Sequence, residues 1–461
     1  MKEDTQLVIQ RLRKGLGAQG FSQAVNLFIR LAEVPLFLAF WGPERYGEWL
    51  MVAAIPAYLA MADGGFTGTT QREMTMRMGA GDRQGALASF QSTWVLLLIL
   101  STALFGVFAL AVTLLPLSDW LKLSSMSSTA LQYVILLLTA HVIVGFQCGL
   151  IYGGYSCEGR YGRGTVLATF MYLFDFAGLT IAVVLGGGPV EAAMGYLAGR
   201  LLGYLIFLFD LKNVAPWLRR GWKNATSANV ATLVRPSFAS MAFPLGEALN
   251  IQGMRLLIGL MLGPIAVTVF STLRTLCRSA MKPTLIVARL IEPEMALAFG
   301  GGRHNLIQKL FTKSSQITLW SVLPACLLLW FLGEPLLGLW TRGQIKLDVS
   351  LYILLLLSSA ANSLWSTALM VPYATNRHEG VAVRFLIING ALLLLAGFLM
   401  SSIGLSGAGV ALLFSELAMA VWVLRAAFSL SEVPLGYWLR AVVRPPIPAF
   451  KAILRKAFFR S

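Results

Sequence analysis

Charge is what this sequence has least of. Only 13% of its 461 residues are charged, where a soluble domain of this size carries roughly a quarter. With so little polar surface, lipid rather than water must cover most of the chain. Histidine occurs three times and cysteine four times. No His pair has metal-ligand spacing. Cys148, Cys277 and Cys326 lie inside apolar stretches and Cys157 lies at the edge of one, which excludes a zinc cluster and a disulfide scaffold and leaves small apolar packing residues. No Gly-rich phosphate loop with Lys and Ser/Thr is present, and no nucleophile elbow. The residues therefore point to no enzyme, no cofactor and no metal. A cleavable signal peptide is not expected either, because the first eighteen residues are polar and basic and the first apolar block is too long for a signal core.

What the chain has in abundance is long apolar blocks separated by basic residues. Hydrophobic residues make up 57% and the mean hydropathy is +0.71. A bilayer core takes about twenty apolar residues per helix. On that ruler twelve spans fall near 19–41, 46–66, 89–115, 131–154, 165–187, 191–212, 238–262, 265–287, 315–338, 350–372, 382–403 and 406–428. The eighth is the weakest, because charges interrupt it. The net charge of +16 is no nucleic-acid signature, since that would gather cations and stacking aromatics on one solvated face. With both termini inside, only Arg45, Lys122, Arg342 and Lys346 fall on the outer side. The positive-inside rule therefore predicts cytoplasmic termini.

The predicted fold class is all-α integral membrane, with about twelve transmembrane helices in two six-helix lobes. The longest cytoplasmic connection, through Trp217-Leu-Arg-Arg-Gly-Trp222 to Arg235, divides them. The expected organisation is an N-terminal lobe at 1–213, a linker at 214–235, a C-terminal lobe at 236–430 and a tail at 431–461. In that tail Phe450, Ile453, Leu454, Ala457 and Phe458 share one helical face, opposite Lys451, Arg455, Lys456 and Arg460. Such a helix suits the anionic inner leaflet. The halves are related at a constant offset of 221 residues. Gly42-Pro43 falls on Gly263-Pro264, Glu73 on Glu294, Gly79 and Gly81 on Gly300 and Gly302, and Phe90 on Phe311. Units of six spans repeat in parallel, which predicts a pseudo-two-fold axis along the membrane normal and a binding site at the interface.

Charges inside the spans carry the chemistry. Even on a lenient scale an Arg at a span centre costs about 2.5–3.5 kcal/mol, so it faces protein or water. Arg30 sits mid-way along the first span, with Glu33 one turn on. Glu247 and Arg255 lie eight residues apart in the seventh. Arg274, Arg278 and Lys282 follow i, i+4, i+8 in the eighth and predict a cationic stripe. The functional reading is an anion site, because guanidinium matches phosphate oxygens in bidentate fashion. The structural alternatives are an Arg30–Glu33 pair neutralising itself and, for Lys282, snorkelling to the interface. Asp175 and Arg200, at similar depth in adjacent spans, read as a structural ion pair. His141 and Asn362 read as interhelical hydrogen-bonding residues. Glu416 reads as a proton or cation acceptor, or as the partner of an Arg.

Several segments resemble a known family. Gln19-Gly-Phe-Ser-Gln23, Glu33-Val-Pro35, Trp41-Gly-Pro43 and Tyr46-Gly-Glu-Trp49 look like the polysaccharide transporter family, the O-antigen-type flippases for lipid-linked oligosaccharides. Ile55-Pro-Ala-Tyr58, Ala62-Asp-Gly64, Gly81-Asp82 and Phe270-Ser-Thr-Leu-Arg-Thr275 continue the likeness. That family belongs to the multidrug/oligosaccharidyl-lipid/polysaccharide exporter superfamily. The resemblance implies alternating access and movement of a polyprenyl-diphosphate-linked oligosaccharide from the inner to the outer leaflet of a bacterial inner membrane. Its implied partners are that substrate, membrane lipids, a coupling proton or sodium ion, and the enzymes of surface polysaccharide synthesis. On this reading Arg30, Arg255, Arg274 and Arg278 hold the diphosphate, and Glu33, Glu247 and Glu416 couple or counterbalance charge. The rivals are a cation-coupled multidrug antiporter, which requires a net acidic cavity, and a membrane glycan polymerase or ligase, which usually carries a sizeable external domain.

Overall fold

The computed structural model describes residues 2–446, apart from 64 and 376. The amphipathic face expected from Phe450 to Arg460 lies outside them. All regular structure among the described residues is helical. Among the described residues nine helices are long and apolar enough to cross a membrane: Gly17–Leu59, Arg83–Leu114, Ser128–Cys157, Tyr161–Val184, Pro189–Val214, His304–Thr341, Val349–Ala374, Glu379–Ile403 and Leu405–Ser431. The first holds 43 residues, about 65 Å at 1.5 Å per residue, or twice a bilayer core. Gly42, at φ 73° and ψ 177°, breaks it into the first and second spans.

The seventh span escapes that count because its helix is interrupted, and the eighth because it is both interrupted and charged, with Lys282, Arg289, Glu292 and Glu294 in its second piece. The seventh runs Ala242–Ala248, a π turn at Leu249–Gly253, then Met254–Leu262. The eighth runs Pro264–Arg278, a 3-10 turn at Ser279–Met281, then Lys282–Gly300. With these the spans number twelve. The segment expected as a linker at 214–235 is helical from Ser227. A short helix, Leu435–Val443, opens the tail and packs on the ninth span, with Trp438 stacked on Phe311 and Trp320 donating to the Val442 carbonyl.

The offset of 221 appears in the backbone itself. Gly42 and Gly263 share one extended positive-φ conformation (φ 73° and 87°), one that a side chain would strain. Gly81 and Gly302 are both left-handed. The third span starts at Arg83 and the ninth at His304. Ser127 caps the fourth span by accepting from the Ala130 amide, and Asp348 caps the tenth by accepting from Leu351.

The chain forms two compact units, Met1–Thr268 and Val269–Ser461. In the first unit the fifth and sixth spans pack most intimately. Gly195, Gly199 and Gly203 form a ridge at i, i+4, i+8. A Cβ at Gly195 would lie 2.2 Å from the Gly178 carbonyl oxygen, and one at Gly199 2.1 Å from that of Phe174. Small residues at this spacing let two backbones touch, which is how helices associate where no water drives them together. In the second unit the twelfth span packs against the tenth and eleventh.

A second close contact in the first unit joins the Gly-Pro turns. The Thr268 hydroxyl donates to the Pro43 carbonyl at 2.6 Å. A Cβ at Gly47 would meet the Pro264 oxygen at 1.9 Å, and Gly259 has the same relation to the flexible Met51. Gly47→Val is expected to lower stability by about 1–3 kcal/mol, because a backbone must shift to admit it. Gly17→Ala, with nothing within 4 Å, should be neutral or mildly stabilising. Unfolding midpoints of the two variants in detergent check the contrast, and equal midpoints would contradict it.

Candidate functional site

The glycine ridge on the sixth span brings its neighbour, Arg200, against the fifth. Arg200 Nε donates to Asp175 Oδ1 at 3.1 Å and Nη2 to Oδ2 at 2.5 Å. Both residues are buried. His141, on the fourth span, places Nε2 3.4 Å from Asp175 Oδ2, and its ring stacks on Tyr196 at 4.0 Å. The Tyr172 ring lies 5.5 Å from the guanidinium. One carboxylate thus ties three spans together through two cation-capable side chains. Full burial and bidentate geometry fit an internal structural clasp, since no exposed face is left for a passing ligand.

The first and seventh spans hold a more open set of charges. Arg30 is exposed, while Glu33 and Arg255 are half-buried. Arg255 and then Arg30 are the cations whose fields act on Glu33. No ion pair within 4.0 Å joins Arg30 to Glu33 among the described residues, although the Arg30 field reaches the carboxylate. Tyr46 is buried, and the charges of both Glu33 and Arg255 act on it. Arg255 donates to Gln252 Oε1 at 3.2 Å. Gln252 lies in the π turn, a feature that recurs at functional sites. Eight α-helical steps leave two residues about 80° off a common face, and the extra residue of the π turn takes up most of that offset between Glu247 and Arg255. Glu247 itself is exposed.

The second unit has its own cluster. Glu416 on the twelfth span is buried, and its Oε2 accepts from Asn362 Nδ2 at 2.9 Å and from Trp365 Nε1 at 2.7 Å. Asn362 Oδ1 in turn accepts from Ser366 at 3.2 Å. Arg278 and Arg274 are the cations whose fields reach the carboxylate. Both are half-buried, with the Arg274 guanidinium 5.7 Å from the Phe270 ring. The stripe expected over Arg274, Arg278 and Lys282 is broken: the helix ends at Arg278, and the 3-10 turn separates Lys282 from the other two. Pro283 explains the break, because it offers no amide to the Ser279 carbonyl and starts a new helix.

Three partners were not foreseen from the sequence. Trp365, Tyr196 and Gln252 read as ordinary span residues: Trp365 meets Glu416 and the Tyr196 ring meets His141 through tertiary packing, while Gln252 meets Arg255 along its own helix. The site residues thus fall into three sets. One is a closed clasp. The others are two partly accessible groups, Arg30 and Arg255 with Glu33 and Glu247, and Arg274 and Arg278 with Glu416 alone.

No family model matches the sequence, and no curated protein is significantly similar to it. Solved structures are similar in fold. One is described as the inward-facing conformation of a multidrug resistance MATE family transporter of the MOP superfamily. It shares 15% identity, covers 89% of this chain and 96% of its own, and superposes with a TM-score of 0.73. The lipid II flippase MurJ in an inward closed conformation shares 14% over 95% of this chain and 91% of that one, at 0.70. A MOP superfamily transporter from Pyrococcus furiosus, whose binding pocket is described as reversed in polarity, shares 15% over 92% and 95%, at 0.58. The chain is a multi-pass α-helical membrane protein of about twelve spans in two six-helix lobes, with the fold of the MOP superfamily transporters.

Proposed function

We propose that this protein is a flippase moving a polyprenyl-diphosphate-linked oligosaccharide from the inner to the outer leaflet of a bacterial inner membrane, with both termini cytoplasmic. The observation that carries this reading is the sign of the accessible charge at membrane depth. Arg30 and Arg255 in the first unit, and Arg274 and Arg278 in the second, are all exposed or half-buried. Three carboxylates face these four guanidiniums: Glu33 is half-buried, Glu247 is exposed, and Glu416 is buried with its Oε2 already accepting two neutral donors. Such a set attracts an anionic head group, and guanidinium suits the paired oxygens of a diphosphate. A cationic drug would meet net repulsion. The multidrug antiporter remains the second reading because a solved relative in fold is described as a multidrug transporter.

Purified protein in vesicles separates the two. Fluorescent lipid-diphosphate oligosaccharide should become accessible on the far leaflet at a rate set by protein content, while a cationic dye should not move. Dye transport with a static glycolipid would overturn the proposal. Under it, Glu416 is the coupling carboxylate, held by Asn362 and Trp365. Glu416→Gln keeps an oxygen for both donors but loses the titrating charge. Transport should fall by about tenfold or more, the usual size of a coupling free energy, and lose its dependence on a proton gradient. A gradient response like that of the native protein would return Glu416 to a structural role.

A further inference from the structure

The segment between the sixth and seventh spans is read from sequence as a cytoplasmic linker, and its backbone is fastened at both ends. Gln91 on the third span donates to the Arg219 carbonyl at 2.9 Å and accepts from the Asn224 amide at 2.8 Å. Ser92 accepts from the Thr226 amide at 3.0 Å. Trp217 donates to Glu158 at 2.6 Å and lies under the Arg83 guanidinium at 5.1 Å. These bonds use the inward edge of the loop. The other edge carries Arg219, Arg220, Trp222 and Lys223, all exposed, with Trp222 at 78%. Asp210, an acidic side chain near the base of the loop, is already paired with Arg163.

Depth follows from the helices that hold the loop. Gln91 lies about 12 Å along a helix that starts at Arg83. That helix has 32 residues, about 48 Å, or some 18 Å more than a hydrocarbon core. The loop therefore folds back to the level where the third span enters the bilayer. Arg220 confirms the level by donating to the Tyr204 hydroxyl at 3.4 Å, ten residues before the sixth span ends. A fixed backbone at head-group depth, presenting an indole and three cations outward, has the chemistry of an interfacial anchor. A merely solvated charged loop needs neither the fastening nor the exposed indole.

We propose that residues 219–223 form a rigid binding surface for anionic phospholipid head groups of the adjacent leaflet. Trp222 sits at the acyl boundary, and Arg219, Arg220 and Lys223 meet the phosphates. The proposal holds for any transported cargo. To test it, the full chain is placed in nanodiscs containing phosphatidylglycerol or phosphatidylcholine brominated near the top of the acyl chains. The difference between native protein and Trp222→Phe isolates the Trp222 fluorescence. That signal should be quenched by brominated phosphatidylglycerol at a much lower mole fraction than by brominated phosphatidylcholine. Arg219→Gln with Lys223→Gln should raise the half-quenching fraction by about 25-fold, given roughly fivefold per cation at a charged membrane, with an unchanged unfolding midpoint. Equal quenching by both lipids would overturn the proposal, as would quenching by aqueous acrylamide alone. So would a Trp222 signal that answers only to added lipid-diphosphate sugar, which would give the surface to the cargo instead.

Discussion

Arg200→Ala is expected to lower the stability of this protein by about 3–5 kcal/mol, because it strands a buried carboxylate. Asp175 and Arg200 are only 2% and 7% exposed, so water cannot replace the lost partner. His141 lies close enough to Asp175 Oδ2, at 3.4 Å, to accept part of the load only by becoming charged in a buried place. Arg200→Lys should recover part of the loss and not all of it. Lysine keeps the charge but gives up the planar fork that reaches both carboxylate oxygens and faces Tyr172. The two positions share one interaction, so their effects should not add. Asp175→Leu with Arg200→Leu should be milder than Arg200→Ala, since a buried pair replaced as a unit leaves no orphan charge. Reversible unfolding in mixed detergent micelles measures these three variants together with Asp175→Leu and Arg200→Leu made singly. A double variant as unstable as the sum of its single changes would show that the pair is not a clasp.

This clasp also shows how far sequence reasoning reaches. Apolar blocks of about twenty residues make the spans countable, because bilayer thickness sets one length for every crossing. The offset of 221 is legible for a related reason: turns that need a positive-φ glycine or a side-chain cap keep those residues in register, as at Gly42 and Gly263 or Ser127 and Asp348. Depth placed Asp175 and Arg200 at the same level, but depth carries no information about which faces meet. The signal for that was the ridge of Gly195, Gly199 and Gly203, whose spacing marks the sixth span's contact face. His141 joins the clasp through the packing order of the fourth span, which no periodicity reveals. The broken stripe at Lys282 is a different case. An i, i+4, i+8 argument assumes a continuous helix, and Pro283 is the residue that withdraws the assumption. Asn362 and Glu416 each stood out as polar residues in mid-span, but their bond spans 54 positions and belongs to tertiary structure alone.

Arg274→Ala should reduce glycolipid transport by about 100-fold or more while leaving protein levels near normal. The reasoning starts from what the side chain touches. Arg274 is half-buried, its guanidinium stands over Phe270, and its field reaches Glu416 with that of Arg278. Glu416 Oε2 itself accepts from Asn362 and Trp365. For a diphosphate the loss is large, since each hydrogen bond to a charged group is worth about 1.5–3 kcal/mol and a guanidinium offers two at once. Arg274→Lys keeps a point charge without the fork and should fall between the two, with a weaker apparent affinity and a partly retained maximal rate. Charge alone would make Lys equal to Arg, and a purely structural role would make Lys and Ala alike. Initial flipping rates in vesicles, measured against glycolipid concentration for the three proteins, distinguish these outcomes. Full transport by a stably inserted Arg274→Ala protein would remove the arginine from the substrate path and, with it, the main chemical argument for an anionic cargo.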